Sequence, residues 1–582
     1  MANLHSRVSG RDTASGSYVL DTGTLVAAAA AVCLAQIALA VPAVLNGLFQ
    51  LDLGPTSAQL TWISDAFLVP VCLLELTFGA LGDLFGRKRL LVGGALLLAL
   101  GEAIAVLTPG AGTAAGTRVL VLWTGQIIAG IGAAALFPTS LAMVAAGTHT
   151  ARQRARAVTI WAAALSVGGT ISSVLAGLVA TLHFGSDPDA GWRWAFVVVL
   201  VLALISAALS MLLARDSSAP AGRSLDWPGQ ITIAVALFTL LYAVIQGPTS
   251  GWGSPQVITG FIVAVIFLGL FILAERRSPA PLLRLDLFAN RAFSVAAIVT
   301  VLSMFAFLGI AYATSIRLSA IQGFSPLKTS IAFVFLNGMA VVQVTLTARL
   351  IERYNPKWPL GGGCVLMGAG ALWLAVVPAT NLSLAPVIVP FILVGAGFAL
   401  AVSSVTAVTV NTAPNHLAGM ASGTTNMLRD FGFTLGPAIV GAVALSQAAA
   451  QIARDLAGSA ALRHGLAAFS AAPAHVPAAQ RPSVEAAVHA VASGPLGANA
   501  VPATVPGPGG RAVPFNPLKD VAFHALSHAY AIGYLVCAGA ALLAAVLTVL
   551  AVRGRVHETL LDPHTLTEAD PADGTQPGPA GS

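Results

Sequence analysis

The chain has 582 residues, of which 57% are hydrophobic and only 9% are charged. This composition excludes the string of soluble domains that a chain of this length would otherwise suggest. The formal charge of +6 is more typical of the cytoplasmic loops of a membrane protein than of a nucleic-acid-binding surface, so no nucleic acid partner is expected.

Runs of about 20 apolar residues, long enough to cross a hydrocarbon core of ~30 Å, recur along the whole sequence. We interpret fourteen such runs as transmembrane helices. They cover residues 24–49, 60–82, 90–108, 119–147, 157–182, 194–214, 228–246, 255–274, 292–316, 329–349, 359–378, 386–410, 419–446 and 528–552. The sequence therefore predicts an all-α, multi-pass membrane protein.

Basic residues in the loops predict the orientation of these helices. Arginine and lysine cluster in the loops at one end of the predicted bundle, whereas the short loops at the other end hold few of them. Those few are Arg118, Arg193, Arg317 and Lys328. Because positive charge in short loops marks the cytoplasmic side, we expect both termini to be cytoplasmic.

Between the second and third predicted helices, the sequence reads GALGDLFGRKRLL. Its marked positions are Gly79, Asp83, Gly86, Arg87 and Lys88. Gly79 allows two backbones to approach, and Gly86 permits a tight turn. Charge alone is explained by a cytoplasmic anchor with turn glycines.

A degenerate copy of this pattern follows the tenth predicted helix, at Ala348, Glu352, Arg353, Asn355 and Lys357. Such a copy is what two fused six-helix halves would leave. The first loop resembles the signature loop of the major facilitator superfamily of secondary transporters, apart from Leu84, where that family usually has a base. The resemblance implies a pair of cytoplasmic hinges, in which Asp83 and Arg87 latch the outward-facing state.

Four further stretches resemble the fourteen-helix drug/proton antiporter branch of that superfamily. They are TWISDAF (61–67), ERRSPAPLLRLDLFANRAF (275–293), GFSPLKTS (323–330) and GMASGTTNMLRDFGFTLGPA (419–438). The resemblance implies an organisation into six parts. These are a cytoplasmic tail (1–23), a six-helix half (24–214), a linker with an inserted helix pair (215–291), a second half (292–552), a long extracellular segment within it (447–527), and a disordered tail (553–582). The extracellular segment is rich in alanine, proline and glycine, and we expect much of it to be flexible.

Acidic residues within the spans are the candidates for proton coupling, because each costs several kcal/mol in hydrocarbon unless it is paired or hydrated. They are Asp65, Glu75, Glu102 and Asp430. Asp65 is also explained as an acid near a helix N-terminus, favoured by the helix dipole. Glu75 is a candidate for the cavity or a gate, and Glu102 is also explained as a structural or lipid-adjacent residue of the third helix.

Asp430 is the first choice among these acids, because it lies roughly 16 Å into the thirteenth helix at 1.5 Å per residue. The preceding Arg429 matches a basic position of the family's motif, whereas an acid at the next position is not usual there. Neighbouring helical residues point about 100° apart, so no simple pair between the two is expected. The alternative is a buried acid whose salt bridge holds helices together.

Three positions depart from the antiporter pattern. Cys33 stands where the first helix often has an acid, and Gln126 stands where the fourth helix usually has an arginine. The fifth helix keeps Gly168, Gly169 and Gly177 but has Ser172 and Ser173 in place of Gly-Pro.

The resemblance implies a secondary active exporter of amphipathic, often cationic, drugs or antibiotics in the plasma (inner) membrane, driven by proton influx through alternating access. Its expected partners are a small-molecule substrate, protons and the lipid bilayer, and we expect a monomer without cofactor or metal. One alternative is an exporter of a particular endogenous metabolite or self-made antibiotic, and another is a non-transporting scaffold or sensor. The sequence contains no HExxH or GxxxxGK[ST] motif, and an enzyme is not expected.

Overall fold

The computed structural model describes residues 20–551 apart from short gaps. The gaps are 111, 149–150, 183, 185–187, 219–224, 279–280, 413–417, 479 and 507–511. The predicted tails, except for residues 20–23, therefore lie outside the described residues. The described chain is almost entirely helical, with one short two-stranded hairpin.

Seven helices form the first half of the molecule. They are α1 (Thr22–Ala40), α2 (Pro42–Leu53), α3 (Ser57–Phe85), α4 (Arg87–Val106), α5 (Ala115–Ala146), α6 (Ala151–Val179) and α7 (Trp192–Leu213). α1 and α2 continue one another and together form one span. They are interrupted at Pro42, whose ring nitrogen cannot donate the next helical hydrogen bond.

An inserted pair, α8 (Trp227–Ser250) and α9 (Pro255–Arg277), precedes the second half. The second half begins with α10 (Arg291–Ile316), α11 (Pro326–Val342), α12 (Val344–Arg353), α13 (Lys357–Val376), α14 (Ala385–Thr412) and α15 (Ala418–Gly458). It ends with α16 (Ala460–His475), α17 (Arg481–Ala492), α18 (Pro495–Ala500), the strands β1 (Thr504–Pro506) and β2 (Ala512–Pro514), and α19 (Lys519–Ala551).

Within the described residues, 13 helices are long and apolar enough to cross a membrane, and the bent pair α11–α12 makes a fourteenth. The predicted all-α, multi-pass architecture is confirmed. The tenth predicted span is not one straight helix, however, since α11 and α12 meet at 47°. At the break, the Gln343 side chain donates a hydrogen bond of 2.6 Å to the carbonyl oxygen of Ala396 on α14.

The predicted flexibility of the 447–527 segment is wrong for most of its length. α15 continues to Gly458, and the helices α16 to α18 follow it. Leu496 and Asn499 of α18 are buried. Asn499 Nδ2 donates a hydrogen bond of 2.9 Å to the carbonyl oxygen of Ala320. Alanine-rich sequence therefore becomes ordered here because it packs on the ends of the long helices.

Glycines bring the third and fourth membrane spans of each half into close contact. These spans are α4 and α5 in the first half and α13 and α14 in the second. A Cβ atom at Gly125 of α5 would lie 2.7 Å from the carbonyl oxygen of Gly101 on α4. In the second half, a Cβ atom at Gly363 of α13 would lie 2.6 Å from the carbonyl oxygen of Gly397 on α14. Such small-residue contacts drive helix association in a membrane, where the hydrophobic effect between helices is absent.

We call the end of the bundle that carries the Gly86 turn between α3 and α4 the loop face. The end that carries α16 to α18 is the cap face.

Candidate functional site

Helices α3 and α15, one from each half, pack side by side along a seam. Gly423 of α15 is so close to α3 that an added Cβ atom would lie 2.9 Å from the Leu76 side chain. Glu75 lies ~15 Å from the end of α3 at the loop face, counted at 1.5 Å per residue. The seam brings Glu75 together with Arg429 and Asp430.

The three side chains form one buried charged cluster. Arg429 Nε lies 2.8 Å from Asp430 Oδ1, and Arg429 Nη2 donates to Asp430 Oδ2 at 3.2 Å. Arg429 Nη2 also lies 3.8 Å from Glu75 Oε2. The remaining nitrogen, Nη1, donates to Asn426 Oδ1 at 3.3 Å. Both acidic side chains are only 3% exposed.

The expectation that Arg429 and Asp430 would not pair is wrong. Their Cβ atoms do diverge around the helix, but the long arginine side chain curls back and meets the carboxylate with two nitrogens. Helical spacing limits short side chains much more than it limits arginine. The two neighbours therefore act as a unit that faces Glu75.

The cluster contains two acids but only one base. The carboxyl groups of Glu75 and Asp430 also interact with each other, and Glu75 Oε2 has no hydrogen-bond donor among the described residues. Two buried carboxylates beside one guanidinium leave an uncompensated negative charge, which is costly at this depth. The arrangement can therefore hold one proton or attract one cation.

Asp65 lies on the same helix in different surroundings. It is fully buried, and neither carboxyl oxygen has a hydrogen-bond partner in the described part of the chain. Interpretation as an acid at the helix N-terminus is wrong, because Thr56 and Gln59 cap α3 reciprocally and Asp65 lies two turns further in. Nearby, Thr61 Oγ1 and Tyr312 OH share a hydrogen bond of 2.9 Å between the two halves.

Glu102 and Gln126 do not join the charged cluster. Glu102 is buried rather than adjacent to lipid, and it lies in the last turns of α4, nearer the cap face than mid-span. Gln126 of α5 is fully buried, and neither of its amide atoms has a partner among the described residues.

The loop at 79–91 is built around a buried ion pair. Arg87 Nη2 lies 2.8 Å from Asp83 Oδ1 across the Gly86 turn, and the two side chains are 10% and 8% exposed. Gly86 adopts a φ of 101°, a conformation that glycine tolerates and other residues rarely adopt. Asp216 Oδ1 accepts a hydrogen bond of 3.1 Å from the backbone nitrogen of Lys88, so the turn is docked on the chain after α7.

A further hydrogen bond positions this loop, since Arg87 Nη1 donates to Ser217 Oγ at 3.4 Å. A Cβ atom at Gly79 would lie 3.6 Å from Pro138 of α5, an ordinary contact distance, so the approach of α3 to α5 does not require a glycine here.

The degenerate copy is built differently. Arg353 ends α12 and is exposed. The backbone nitrogen of Lys357 donates to Asn355 Oδ1 at 3.1 Å. The side chain of Glu352 lies outside the described residues. The copy therefore shares the chain position of the first loop, but the base that follows its acid is exposed, whereas Arg87 of the first loop is buried.

The glycines and serines of the motif predicted for the fifth span lie on α6, where they hold this helix against its neighbours. A Cβ atom at Gly168 would lie 2.5 Å from the carbonyl oxygen of Cys33 on α1, whereas Gly169 faces Asn337 of α11 across a wider gap. Gly177 lies against Ser330 of α11, where no Cβ atom would fit.

Ser172 and Ser173 leave α6 continuous, since neither removes a backbone donor as proline would. Their hydroxyls donate to the carbonyl oxygen of Gly169 at 2.8 Å and 3.3 Å. Ser173 Oγ also accepts a hydrogen bond of 3.1 Å from Asn337 Nδ2, so it joins the two halves.

A second buried ionic cluster lies at the cap face and was not foreseen from the sequence. Asp52 of α2 pairs with Arg118 and, at 3.3 Å, with Arg193. Asp52 also accepts a hydrogen bond of 2.7 Å from Trp192 Nε1. From the sequence, the two arginines are recognisable only as loop charges, since no local spacing links residues from three different helices.

The halves are also joined near the cap face. Asn46 Nδ2 of α2 donates a hydrogen bond of 2.8 Å to Ser315 Oγ of α10. Together with the bond between Thr61 and Tyr312, it closes the seam at this end of the molecule.

Comparisons with known proteins agree with this architecture. Residues 26–437 match the family model described as Major Facilitator Superfamily. The chain is 31% identical over 384 residues to the Multidrug resistance protein Stp of Mycobacterium tuberculosis, covering 66% of this chain and 68% of that protein. It is 30% identical over 408 residues to the Puromycin resistance protein pur8 of Streptomyces alboniger, covering 69% and 78%.

A solved structure with a similar fold is that of a bacterial homologue of the human lysosomal transporter Spinster. The match has a TM-score of 0.59 and 14% sequence identity, and it covers 90% of this chain and 96% of that one.

Proposed function

Because this chain belongs to the major facilitator superfamily, it is a multi-pass membrane transporter, and we propose that it exports amphipathic, cationic drugs or antibiotics in exchange for protons. The names of its relatives, among them a multidrug and a puromycin resistance protein, support drugs and antibiotics as the substrate class. Transport by alternating access fits the superfamily fold.

The observation that carries this proposal is the cluster of Glu75, Arg429 and Asp430 on the seam between the halves. With one proton bound, its two acids and one base are neutral together. When a cationic substrate approaches, the ionised form is favoured and the proton leaves. Since the cluster joins α3 of one half to α15 of the other, its charge also bears on how closely the halves approach.

We further propose that the loop face is cytoplasmic, because the bases of the short loops concentrate there. Hydrogen bonds between the halves near the cap face, such as Asn46 to Ser315, then close the extracellular side in this conformation. Opening that side requires these bonds to break. The Asp83–Arg87 pair would hold the Gly86 turn rigid while the halves rock.

The test is substrate-driven proton movement in proteoliposomes. Purified protein is reconstituted with a trapped pH-sensitive dye, and either ethidium or puromycin is added. Wild type is expected to move protons opposite to the drug, whereas Glu75→Gln and Asp430→Asn are expected to lose at least about tenfold of the coupled flux. Asp286→Asn is the matched control, since its side chain is 78% exposed.

Each outcome has a distinct meaning. Drug movement by wild type without proton movement would show that antiport is wrong. Normal coupling in Glu75→Gln and Asp430→Asn would remove the cluster from the mechanism. If folded wild type moves neither ethidium nor puromycin, drug export is wrong, and the alternative of one particular endogenous substrate takes its place.

A further inference from the structure

A cavity lies away from the charged cluster, on the flank of α3 that faces the inserted helix α8. Its volume is about 950 Å³, which is within the range of sites for drug-sized molecules. α3 and α5 of the first half, α8, α15 of the second half and the start of α18 all contribute to its wall. We refer to this cavity as the lateral groove.

Aromatic side chains form one wall of the lateral groove. The ring centroid of Trp62 lies 6.4 Å from that of Trp123 and 6.0 Å from that of Phe238. Phe238 is 48% exposed and Ile127 is 43% exposed on the outer surface of the bundle. Because these helices cross the membrane, the groove opens sideways toward lipid.

The wall carries no charge. Within the part of the chain that the structure describes, no Asp, Glu, Lys, Arg or His lines the groove. A charged ligand would lose its hydration without gaining a counter-ion there, which is unfavourable. A neutral ligand with a flat aromatic body would instead stack on the tryptophan and phenylalanine rings.

One polar group at the cap-face end has no partner of its own. Ser57 lines the groove and is 3% exposed, yet its hydroxyl makes no hydrogen bond among the described residues. A Cβ atom at Gly494 would lie 3.4 Å from this hydroxyl, so the residue that precedes α18 lies beside it. Buried hydroxyls normally have partners, so this one is free to bond a ligand.

We propose that the lateral groove binds an uncharged, aromatic, amphipathic molecule that arrives from the membrane, with its polar end at Ser57 and its rings beside Trp62. The groove differs in chemistry from the charged cluster, which suits a cation. Since α3 and α15 line the groove from opposite halves of the molecule, a bound ligand stabilises the present arrangement of the two halves. The proposal does not rest on the direction of transport or on its coupling to protons.

Binding of the neutral naphthalene fluorophore Prodan tests the proposal directly. The full-length protein is placed in phosphatidylcholine nanodiscs, and energy transfer from tryptophan to Prodan is titrated, with empty nanodiscs subtracted. Trp62→Ala is expected to weaken saturable binding roughly tenfold because the aromatic wall is lost. Ala449→Trp, which fills the groove from α15, is expected to weaken it at least as much.

Two further variants and one competitor complete the test. Ser57→Ala is expected to weaken binding several-fold. Trp227→Ala, at the loop-face end of the inserted helix α8 and 56% exposed, lies outside the groove and is expected to leave binding unchanged. Equal affinity in wild type, Trp62→Ala and Ser57→Ala would overturn the proposal. Displacement of Prodan by ethidium, together with loss of binding in Glu75→Gln, would also overturn it by placing the ligand at the charged cluster.

Discussion

Helix α3 carries two buried carboxyl groups, one toward each end, and their surroundings differ. Toward the loop face, Glu75 meets Arg429 and Asp430 from the second half of the molecule. Toward the cap face, Asp65 is equally buried but has no hydrogen-bond partner in the described chain. Burial alone therefore does not distinguish an acid with charged partners from one without a hydrogen-bond partner. The difference lies in what the opposite half presents at each depth.

The largest expected effect comes from removing the base that the two acids share. Arg429→Met leaves Glu75 and Asp430 buried beside each other without compensation, so we expect destabilisation by about 3–5 kcal/mol and loss of transport. The measurement is thermal unfolding in detergent, followed by tryptophan fluorescence. Adding Glu75→Gln and Asp430→Asn to Arg429→Met should restore much of the stability. Arg284→Met, at an ion pair with a 41% exposed arginine, is the control.

The next effect separates the two acids by their response to pH. Deprotonation of the charged cluster adds negative charge, so ethidium binding to wild type should strengthen as pH rises, by up to about tenfold per pH unit for one exchanged proton. Glu75→Gln should flatten this dependence. Asp65→Asn, which replaces an unpartnered carboxyl with an amide of similar shape, should keep it. A flat profile in Asp65→Asn with a normal one in Glu75→Gln would reverse the assignment.

A smaller effect is expected at the Gly86 turn. Asp83→Asn removes the buried pair with Arg87, and we expect a loss of about 1–3 kcal/mol in stability together with several-fold slower drug efflux. Efflux is measured by ethidium fluorescence in cells, normalised to the amount of protein in the membrane. Lys357→Gln, which changes the degenerate copy at the position corresponding to Lys88, is the control. Unchanged efflux in Asp83→Asn would show that the pair does not govern the motion.

The sequence is sufficient to predict the fold because its signals are local. Apolar runs predict the spans and small residues predict close helix contacts, since both follow from the thickness and chemistry of the bilayer. The sequence also identifies Glu75, Arg429 and Asp430 as candidate site residues, because an ionisable residue within a membrane span is rare.

The spatial proximity of those residues could not be predicted from the sequence. Nothing in the spacing shows that Glu75 of α3 faces Arg429 of α15, or that Asp52 of α2 collects Arg118 and Arg193. These contacts depend on which helices become neighbours after folding. The order of the 447–527 segment was missed for the same reason, since α18 is held by contacts such as Asn499 with Ala320.

The smallest expected effect sharpens the comparison at the cap-face half of α3. Thr61→Val keeps the shape of the side chain but loses the 2.9 Å bond to Tyr312, which crosses between the halves. A net loss of about 1 kcal/mol should raise the population open at the cap face about fivefold. Spin labels at Leu51 and Leu382, both exposed near this face, report that population as a longer distance in pulsed electron resonance. Thr232→Val, whose hydroxyl bonds only within α8, should leave the distances unchanged, and an equal shift in both variants would deny this bond a role in closing the seam.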